Sequence, residues 1–341
     1  MSGLTRLSAI IPCFNGGAWI GQCLAHLTSA ADRAALDAFE VVVVDDGSTD
    51  DTASAVLAWA AEASHDVRLV TQPNQGRFRA RRAGLDAAKY EVALFIDTRV
   101  FMDEESIANV ATLYSEPDHQ VWTAHVTANT ELSPIAGFWQ AIEHVAWRRY
   151  FRRPRTMSYG LDEFDYFPKG TTALIGPKQL FVDAFDAFVP TVSDWSKVND
   201  DTAVLRWVAA RTPINISPLY SCVYNSRTDV AAFVKHANHR GTVLIDGYLR
   251  RGARFARPIA AVLAVSPVAL WFTVRHPLRA AALGVVGSVG AGTAARAAGA
   301  RAEDARVLGV LAVPFGVSYL AGMWRGLVIR LRMLWQRQVD S

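Results

Sequence analysis

Short apolar runs alternate with amphipathic stretches through the first hundred residues. The runs are LSAIIPCF at 7–14, the valine-rich segment 39–44, VRLVTQ at 67–72 and EVALFID at 91–97. After each of the first three runs, a glycine-containing turn leads into residues with helical spacing. This βαβαβαβ alternation predicts an α/β fold, in which right-handed crossovers join a mostly parallel twisted sheet flanked by helices.

The second run ends in an unusual way. FEVVVVDDGSTDDTASAVLAW passes from four valines directly into Asp45, Asp46 and Gly47. The valines are typical of a strand that is covered on both faces. Because burying unpaired charge is costly, the two aspartates should lie where the strand has left the core. Ligands of open α/β sheets collect at the carboxyl ends of strands, so this turn has the location of a binding site.

The pattern is less regular after residue 102. Residues 133–153 read as one amphipathic helix with a basic end, and 164–185 as a strand, a turn and a helix. Residues 196–211 predict a helix that begins near two acids, where the helix dipole favours negative charge. Residues 214–225 predict a strand pair or a strand and a turn.

The last part of the chain is strongly apolar. The segments 258–274, 280–294 and 307–324 contain no charged residue. They approach the ~20 residues that are needed to cross a bilayer. Arginines flank the set at both ends, which predicts an even number of crossings with both ends in the cytoplasm. Interfacial helices or a buried apolar subdomain would show the same composition.

Composition and charge narrow the class of protein. The chain has 341 residues, of which 51% are hydrophobic, and a formal net charge of +3. Much of the positive charge lies near apolar segments, which favours a membrane surface over nucleic acid. Three cysteines without a CxxC pair predict a reducing compartment and no zinc site. Part of this charge is a cluster of five arginines near the middle of the chain: Arg148, Arg149, Arg152, Arg153 and Arg155.

Acidic residues stand at the ends of three successive elements. Asp45 with Asp46, Asp97, and Asp200 with Asp201 could each be no more than a helix cap. Together with the phrases LSAIIPCFNGGAWIGQCL, VVVVDDGSTDDT, RARRAGLDAA and ALFIDTR, they resemble family 2 glycosyltransferases with the GT-A fold. The resemblance is strong over about 6–110 and weak over 111–245. It implies a nucleotide-diphosphate sugar donor, an inverting single displacement and usually Mg²⁺ or Mn²⁺.

The resemblance also implies a set of nucleotide-binding residues. An acidic pair contacts the base and ribose in the family, and carboxylates are able to accept hydrogen bonds from uracil N–H and ribose hydroxyls. The family's alanine-arginine-asparagine phrase is changed, since its asparagine is Arg82 in this chain. The implied donor-site residues are Pro12, Phe14, Asn15, Asp45, Asp46, Gly76, Arg81 and Asp97.

The family's metal-binding DxD motif is incomplete. The sequence reads Asp97-Thr98-Arg99, so the second carboxylate is missing. Mg²⁺ and Mn²⁺ require oxygen ligands, and an arginine would repel them, although it could neutralise a leaving diphosphate. Two hypotheses follow: metal-independent catalysis with Arg99 as electrophile, or a rearranged metal site with Asp97 and Asp103.

The resemblance places the general base in the phrase NDDTAVLRW, at Asp201, with Asp200 as a neighbour that shapes its pKa or binds acceptor. FPKGTTALIGPK matches the acceptor loop poorly and offers Lys169, Gly170 and Thr171. His239 and Arg240 stand where the family has a loop over the diphosphate. Two histidines three residues apart, as His236 and His239 are, more often belong to an ordinary helix surface.

Together these patterns predict a membrane-attached glycosyltransferase that faces the cytoplasm and serves cell-envelope or polysaccharide biosynthesis. Residues 1–245 would form the catalytic domain and 246–341 a membrane-associated helical region. The predicted substrates are a nucleotide sugar, with UDP favoured, and a lipid-linked polyprenyl acceptor. The rivals are processive polysaccharide synthesis, a non-catalytic membrane-tethered nucleotide-sugar sensor and a nucleotidyltransferase. The last would need a lysine-bearing phosphate loop, which PCFNGG does not provide.

Overall fold

The computed structural model describes residues 3–114, 117–189, 200–226, 229–249 and 255–339. The chain forms two compact units, one made of 1–129 with 153–226 and the other of 130–152 with 227–341. The expected boundary between a catalytic domain (1–245) and a membrane-associated region (246–341) stays a prediction. The compact units have other boundaries. Residues 130–152 belong to the second unit because α5 (Pro134–Ala146) packs against α12 (Ala302–Val339).

The first unit is built on one mixed sheet with strand order β3-β2-β1-β4-β8-β6-β9-β5, and β7 pairs with β9. The α/β fold is confirmed. The sheet is parallel from β3 to β4, as expected, but β8 joins β4 in the antiparallel direction. The strands are β1 Arg6–Cys13, β2 Ala38–Asp45, β3 Asp66–Thr71, β4 Val92–Ile96, β5 Val100–Met102, β6 Trp122–Ala128, β7 Met157–Tyr159, β8 Ala173–Pro177 and β9 Ile214–Tyr224.

Helices cover both faces of the parallel half. Along β2, Val41 and Val43 pack in the cluster that contains Leu24 of α1, whereas Val42 and Val44 pack with Ala80 of α3. A valine run at 41–44 is therefore favoured, because each of these four positions packs against apolar side chains. The helices of the unit are α1 Gly17–Arg33, α2 Thr52–Glu62, α3 Arg77–Ala87, α4 Ser106–Leu113, α7 Lys178–Asp186 and α8 Asp200–Ala209, with short 3-10 helices at Pro117–His119 and Leu161–Tyr166.

Two predicted elements differ from the structure. The single helix expected over 133–153 ends at Trp147, whose backbone angles (φ −116°, ψ 40°) are not helical, and a short helix α6 (Arg148–Phe151) follows. The expected strand pair at 214–225 is the one strand β9. Its pairing with β6 shifts register between Ala124 and His125, so it keeps its direction through an irregularity instead of turning.

The second unit is helical and contains α5, α6, α9 (Val230–Tyr248), α10 (Ala256–Arg275), α11 (Pro277–Ala297) and α12. Helices α9 and α12 approach closely where small residues meet. A Cβ on Gly241 would lie 2.1 Å from the Tyr319 carbonyl oxygen. The Thr242 hydroxyl donates to the Gly322 carbonyl oxygen at 3.2 Å. Small residues and side-chain hydrogen bonds to backbone carbonyls are typical of helix packing inside membranes.

By length and composition, three helices in the described part of the chain are able to cross a membrane: Ala256–Arg275, Pro277–Ala297 and Ala302–Arg332. Most large apolar side chains on α10 and α11 are exposed, among them Trp271, Leu278 and Val286. The predicted even number of crossings stays a prediction, since the count of candidate helices does not fix how many cross.

Candidate active site

The carboxyl ends of β2 and β4 place two of the predicted acids on either side of β1. Asp45 is the last residue of β2 and pairs with Cys13, while Asp97 directly follows β4. Neighbouring strands lie about 4.8 Å apart, so the two backbones are roughly 10 Å apart at one edge of the sheet. Pro12 is buried in β1, and the exposed Phe14 follows that strand.

The turn after β2 is held by its own polar groups. The Ser48 N–H donates to Asp45 Oδ1 at 2.9 Å, and Thr49 N–H donates to Asn15 Oδ1 at 2.8 Å. Gly47 has φ +75°, and an added Cβ would lie 2.8 Å from the backbone nitrogen of Asn74. Asn15 therefore fixes this turn from the end of β1. Among the described residues, only Ser48 donates to Asp45, so this carboxylate retains capacity for a ligand.

Asp46 serves the neighbouring loop. Its carboxylate accepts hydrogen bonds from the Gln72 side chain at 2.6 Å, from Gln75 N–H at 2.9 Å and from Gly76 N–H at 2.8 Å. Gly76 has φ +87°, a conformation that favours glycine. The predicted nucleotide contact of Asp46 stays a prediction, and its observed role is to shape the loop that begins α3.

Arg81 joins Asp97 to Asp201. Its side chain is fully buried, and its terminal nitrogens donate to Asp97 Oδ1 and to Asp201 Oδ1, each at 2.9 Å. Thr171 donates its hydroxyl to the same Asp201 oxygen at 2.7 Å. The carboxylates stay partly open to solvent, with 24% of the Asp97 side chain and 28% of the Asp201 side chain exposed. Both acids are thus partly accessible to a ligand from solvent.

The two carboxyl groups differ in their pKa. Burial raises the pKa of Asp97 above its usual range, and Arg81 and Arg77 only partly oppose this. Burial also acts on Asp201, but Arg81, Arg77 and the Thr171 hydroxyl outweigh it, so the pKa of Asp201 lies below its usual range. Asp201 is therefore ionised at neutral pH and is able to accept a proton from a hydroxyl group.

The DTR turn carries Arg99 toward α1. The Arg99 guanidinium lies over the Trp19 ring, 4.9 Å from its centroid, while Asn225 donates to the Arg99 carbonyl oxygen. Asp103 accepts a hydrogen bond from the Ser221 hydroxyl. Arg99 is the electrophile of the metal-independent hypothesis, and Asp103 is the additional ligand of the rearranged metal site. Both residues therefore already have partners within the protein.

The donor set limits how a divalent metal is held. No group of three or more His, Cys, Asp or Glu side chains that could hold a metal exists in the described part of the chain. Asp97 offers one carboxylate, of which Oδ1 already accepts from Arg81. Mg²⁺ is commonly bound by one or two carboxylates together with substrate phosphates. The residues fit a metal held by Asp97 with diphosphate oxygens, and they do not fit a cage made by protein alone.

The predicted acceptor loop divides into two parts. Thr171 is buried and contacts Asp201. Lys169 instead donates to the Phe164 carbonyl oxygen at 2.9 Å and lies over the Phe164 ring. A Cβ on Gly170 would contact only Thr172. The structure thus brings Thr171 to the acids and gives Lys169 a local packing role, and the acceptor role of this loop stays a prediction.

The remaining predicted residues belong to other regions. Asp200 is the first residue of α8, and its side chain lies outside the described part of the structure. His239 and Arg240 are exposed on α9 in the second unit. The Arg240 guanidinium lies over the Trp139 ring at 4.7 Å and donates to His236 at 3.3 Å. Their contact with a diphosphate stays a prediction.

Sequence reasoning missed Arg77 and the double contact of Arg81. Arg77 begins α3 directly after Gly76 and lowers the pKa of both Asp97 and Asp201. Its position directly after Gly76, where the sequence predicts that a helix begins, was the available signal. The link from Arg81 to Asp201 had no local signal, because 120 residues separate them.

The first half of the chain is similar in sequence to known proteins. Residues 8–172 match the family model described as Glycosyl transferase family 2. Over 142 residues the chain is 28% identical to the uncharacterized glycosyltransferase YibD of Escherichia coli, covering 42% of this chain and 39% of that protein. Over 118 residues it is 30% identical to an undecaprenyl-phosphate 4-deoxy-4-formamido-L-arabinose transferase of Shewanella sediminis, covering 34% of this chain and 35% of the relative.

The match to these relatives is partial, since well under two thirds of each is covered. The solved structure of the mannosyltransferase PcManGT from Pyrobaculum calidifontis, in complex with GDP-Man and Mn²⁺, is similar over more of the chain. Its TM-score is 0.56 at 17% identity, over 92% of this chain and 87% of that one. At this identity the likeness shows the fold.

Proposed function

Because residues 8–172 form a glycosyltransferase family 2 domain on a GT-A fold, we propose that the protein transfers a sugar from a nucleotide-diphosphate sugar to a lipid-linked acceptor. The single observation that carries the proposal is the contact of Arg81 with both Asp97 and Asp201 at the carboxyl edge of the sheet. It joins a carboxylate at the expected donor site to an ionised carboxylate of the kind that activates a hydroxyl group.

In the proposed reaction Asp201 is the general base. It accepts the proton of an acceptor hydroxyl group while the hydroxyl oxygen attacks the anomeric carbon of the donor sugar. The bond between that carbon and the diphosphate oxygen breaks, and the nucleoside diphosphate leaves. A single displacement of this kind inverts the anomeric configuration. The low pKa of Asp201 supports this role, because the base must be deprotonated before the acceptor binds.

The donor nucleotide is proposed to lie along the ends of β1 and β2. Asp45 would accept from the ribose or base, the exposed Phe14 ring offers an apolar face, and Asn15 and Asp46 hold the surrounding turns. The proposed nucleoside of the donor is uridine. The named structural neighbour binds GDP-Man, so both nucleotides belong in the test.

For a divalent metal, the chain offers Asp97 beside the diphosphate. A bound Mg²⁺ or Mn²⁺ would neutralise charge that develops on the leaving group. The Mn²⁺ in the named neighbour supports this assignment. The side chains of the protein position the acids: Arg81 holds Asp97 and Asp201, and Thr171 orients the Asp201 oxygen.

The proposed acceptor is a polyprenyl-linked lipid at a membrane. Three helices of sufficient length and apolar character support a membrane location, and the arginines at both ends of this region support a catalytic domain in the cytoplasm. A relative with undecaprenyl-phosphate in its name supports the acceptor class. We accordingly propose 1–245 as the catalytic domain and 246–341 as the membrane-associated region.

The test uses the purified full chain, a panel of UDP- and GDP-sugars and a bacterial lipid extract. We expect one donor to yield a nucleoside diphosphate and a lipid product whose mass rises by one sugar residue. Asp201→Asn should lower turnover by about 10²–10⁴-fold while donor binding persists. The matched control is Asp186→Asn, which alters an exposed acid that pairs with Arg82. Near-normal turnover in Asp201→Asn would remove this residue as the base.

The missing second DxD carboxylate keeps one other function in consideration, a membrane-tethered sensor that binds a nucleotide sugar without transferring it. Product formation distinguishes the two. A sensor would bind the donor but would release no nucleoside diphosphate when the lipid extract is added.

A further inference from the structure

The proposed base and the hydroxyl group that holds it come from two different elements of the first unit. Asp201 is the second residue of α8, whereas Thr171 lies two residues before β8. The Thr171 hydroxyl donates to Asp201 Oδ1 at 2.7 Å, so this contact requires that α8 and the segment before β8 keep a fixed relative position. A single hydrogen bond contributes modestly to stability, and other contacts are needed to hold the two elements together.

A charged cluster connects the same two elements. The carboxylate of Asp165, in the 3-10 helix Leu161–Tyr166, accepts a hydrogen bond from Arg206 of α8 at 3.0 Å. The ammonium group of Lys169 lies 3.7 Å from the same carboxylate oxygen. Lys169 stands two residues before Thr171 in the chain. Asp165 thus links the helix of the proposed base to the segment that carries its hydrogen-bond donor.

This cluster is largely shielded from water. Only 17% of the Asp165 side chain and 8% of the Lys169 side chain are exposed. The ring of Phe164 is fully buried, and both cations lie over it, with Lys169 Nζ at 4.7 Å and Arg206 Cζ at 4.8 Å from the ring centroid. Ion pairs at an open surface are weak, but pairs that are partly buried are screened much less. The cluster therefore restrains the segment before β8 more firmly than a surface ion pair would.

We propose that Asp165 is a positioning residue for sugar transfer, and that it acts through Thr171 on Asp201. By pairing with Arg206 and Lys169, it keeps the Thr171 hydroxyl against Asp201 Oδ1. This inference rests on the proposed function, in which Asp201 takes a proton from the acceptor. A general base has to lie within hydrogen-bond reach of that proton, and a displacement of about 1 Å can lower the rate about 10²-fold.

The test measures steady-state transfer by the purified full chain, with the lipid extract and the donor that the nucleotide-sugar panel identifies. Asp165→Asn removes the charge and keeps the size of the side chain. We expect kcat to fall about 10–100-fold with little change in the KM for the donor, because the cluster holds the base and not the nucleotide. Asp165→Glu keeps a carboxylate and should recover most of kcat. The matched control Asp186→Asn, which alters an exposed acid paired with Arg82, should leave kcat unchanged.

A double-mutant cycle separates positioning from a general effect on stability. If Asp165 acts through Thr171, Asp165→Asn should lower kcat much less in a Thr171→Val background than in the native chain. A milder variant, Arg206→Gln, alters a side chain that is 43% exposed, and it decides the question if Asp165→Asn does not fold. Its effect on kcat should depend on Thr171 in the same way. Effects that multiply independently in both cycles would overturn the proposal.

Amide hydrogen exchange adds a measurement that does not depend on transfer. In Arg206→Gln we expect faster exchange at 168–172 and in α8, with β1 and β2 unchanged. Unchanged exchange at 168–172 and in α8 would overturn the positioning role. Near-normal turnover of Asp201→Asn would overturn the proposed base and this inference together. An inactive Asp201→Asn, combined with native kcat in Asp165→Asn and Arg206→Gln, would overturn this inference alone.

Discussion

Arg81 donates a hydrogen bond to Asp201 at 2.9 Å across 120 residues of sequence. The same buried guanidinium holds Asp97 at 2.9 Å. One cation therefore holds both carboxylates in position and, together with Arg77, opposes the rise in pKa that burial causes in each of them. A buried charge of this kind is tolerated only when its partners are in place, so the site is also a structural junction between α3 and α8.

The first prediction concerns the pH dependence of transfer. The pKa of Asp201 is depressed in the folded protein, so the stability from its ionised form is present above the unfolded pKa and is lost as the pH falls through the folded value. Arg81→Gln removes the main opposition to burial. We expect the acidic limb of the kcat profile to move to higher pH, and the Tm to fall, because breaking a buried pair costs about 3–5 kcal/mol.

Arg81→Lys and Thr171→Val serve as graded comparisons for this prediction. Lysine keeps the charge and should restore part of the shift, while Thr171→Val removes one hydrogen bond and should give a smaller shift in the same direction. An acidic limb that stays in place in Arg81→Gln, or moves to lower pH, would contradict the coupling.

The second prediction concerns the loop that begins α3. Asp46→Asn replaces an oxygen that accepts from backbone N–H groups with an amide that is able to place a donor against them. We expect a loss of about 1–3 kcal/mol in the free energy of unfolding, together with weaker nucleotide binding. Thermal unfolding and calorimetry with UDP and GDP measure these effects. A variant as stable as the native chain would show that the loop does not depend on this carboxylate.

The third prediction concerns the metal. Since Asp97 is the carboxylate available to a diphosphate-bound cation and Arg99 lies against Trp19, we expect EDTA to abolish transfer and Arg99→Ala to retain most of it. Calorimetry should show that Mn²⁺ binding in the presence of nucleoside diphosphate is weakened in Asp97→Asn. Full transfer in EDTA, combined with its loss in Arg99→Ala, would instead identify Arg99 as the electrophile.

The fourth prediction concerns helix packing in the second unit. A Cβ at Gly241 would lie 2.1 Å from a backbone oxygen of α12, whereas a Cβ at Gly316 meets nothing within 4 Å. Gly241→Ala should therefore separate α9 from α12 and lower the Tm. Gly316→Ala should be neutral or slightly stabilising, because alanine favours a helix by about 1 kcal/mol over glycine. Equal Tm values for both variants would show that this contact is not tight in solution.

Much of the first unit could be predicted from the sequence. The elements β1 to β4 and α1 to α3 follow from local periodicity, because a strand alternates its faces every two residues and a helix every 3.6. Glycines and aspartates after apolar runs mark strand ends in the same local way. The sequence alone therefore located Asp45 and Asp97 at the carboxyl edge of a sheet.

The tertiary structure decided what the chain brings together over long distances. β8 inserts antiparallel beside β4, Arg81 reaches Asp201, and Asp46 accepts hydrogen bonds from the loop that begins α3. Each of these depends on residues far apart in the chain, whose pairing is selected by packing and by the need of buried charges for partners. Local patterns do not encode that choice. The sequence therefore determined that Asp45 and Asp97 stand at strand ends, and only the folded chain decided that Arg81 joins Asp97 to Asp201.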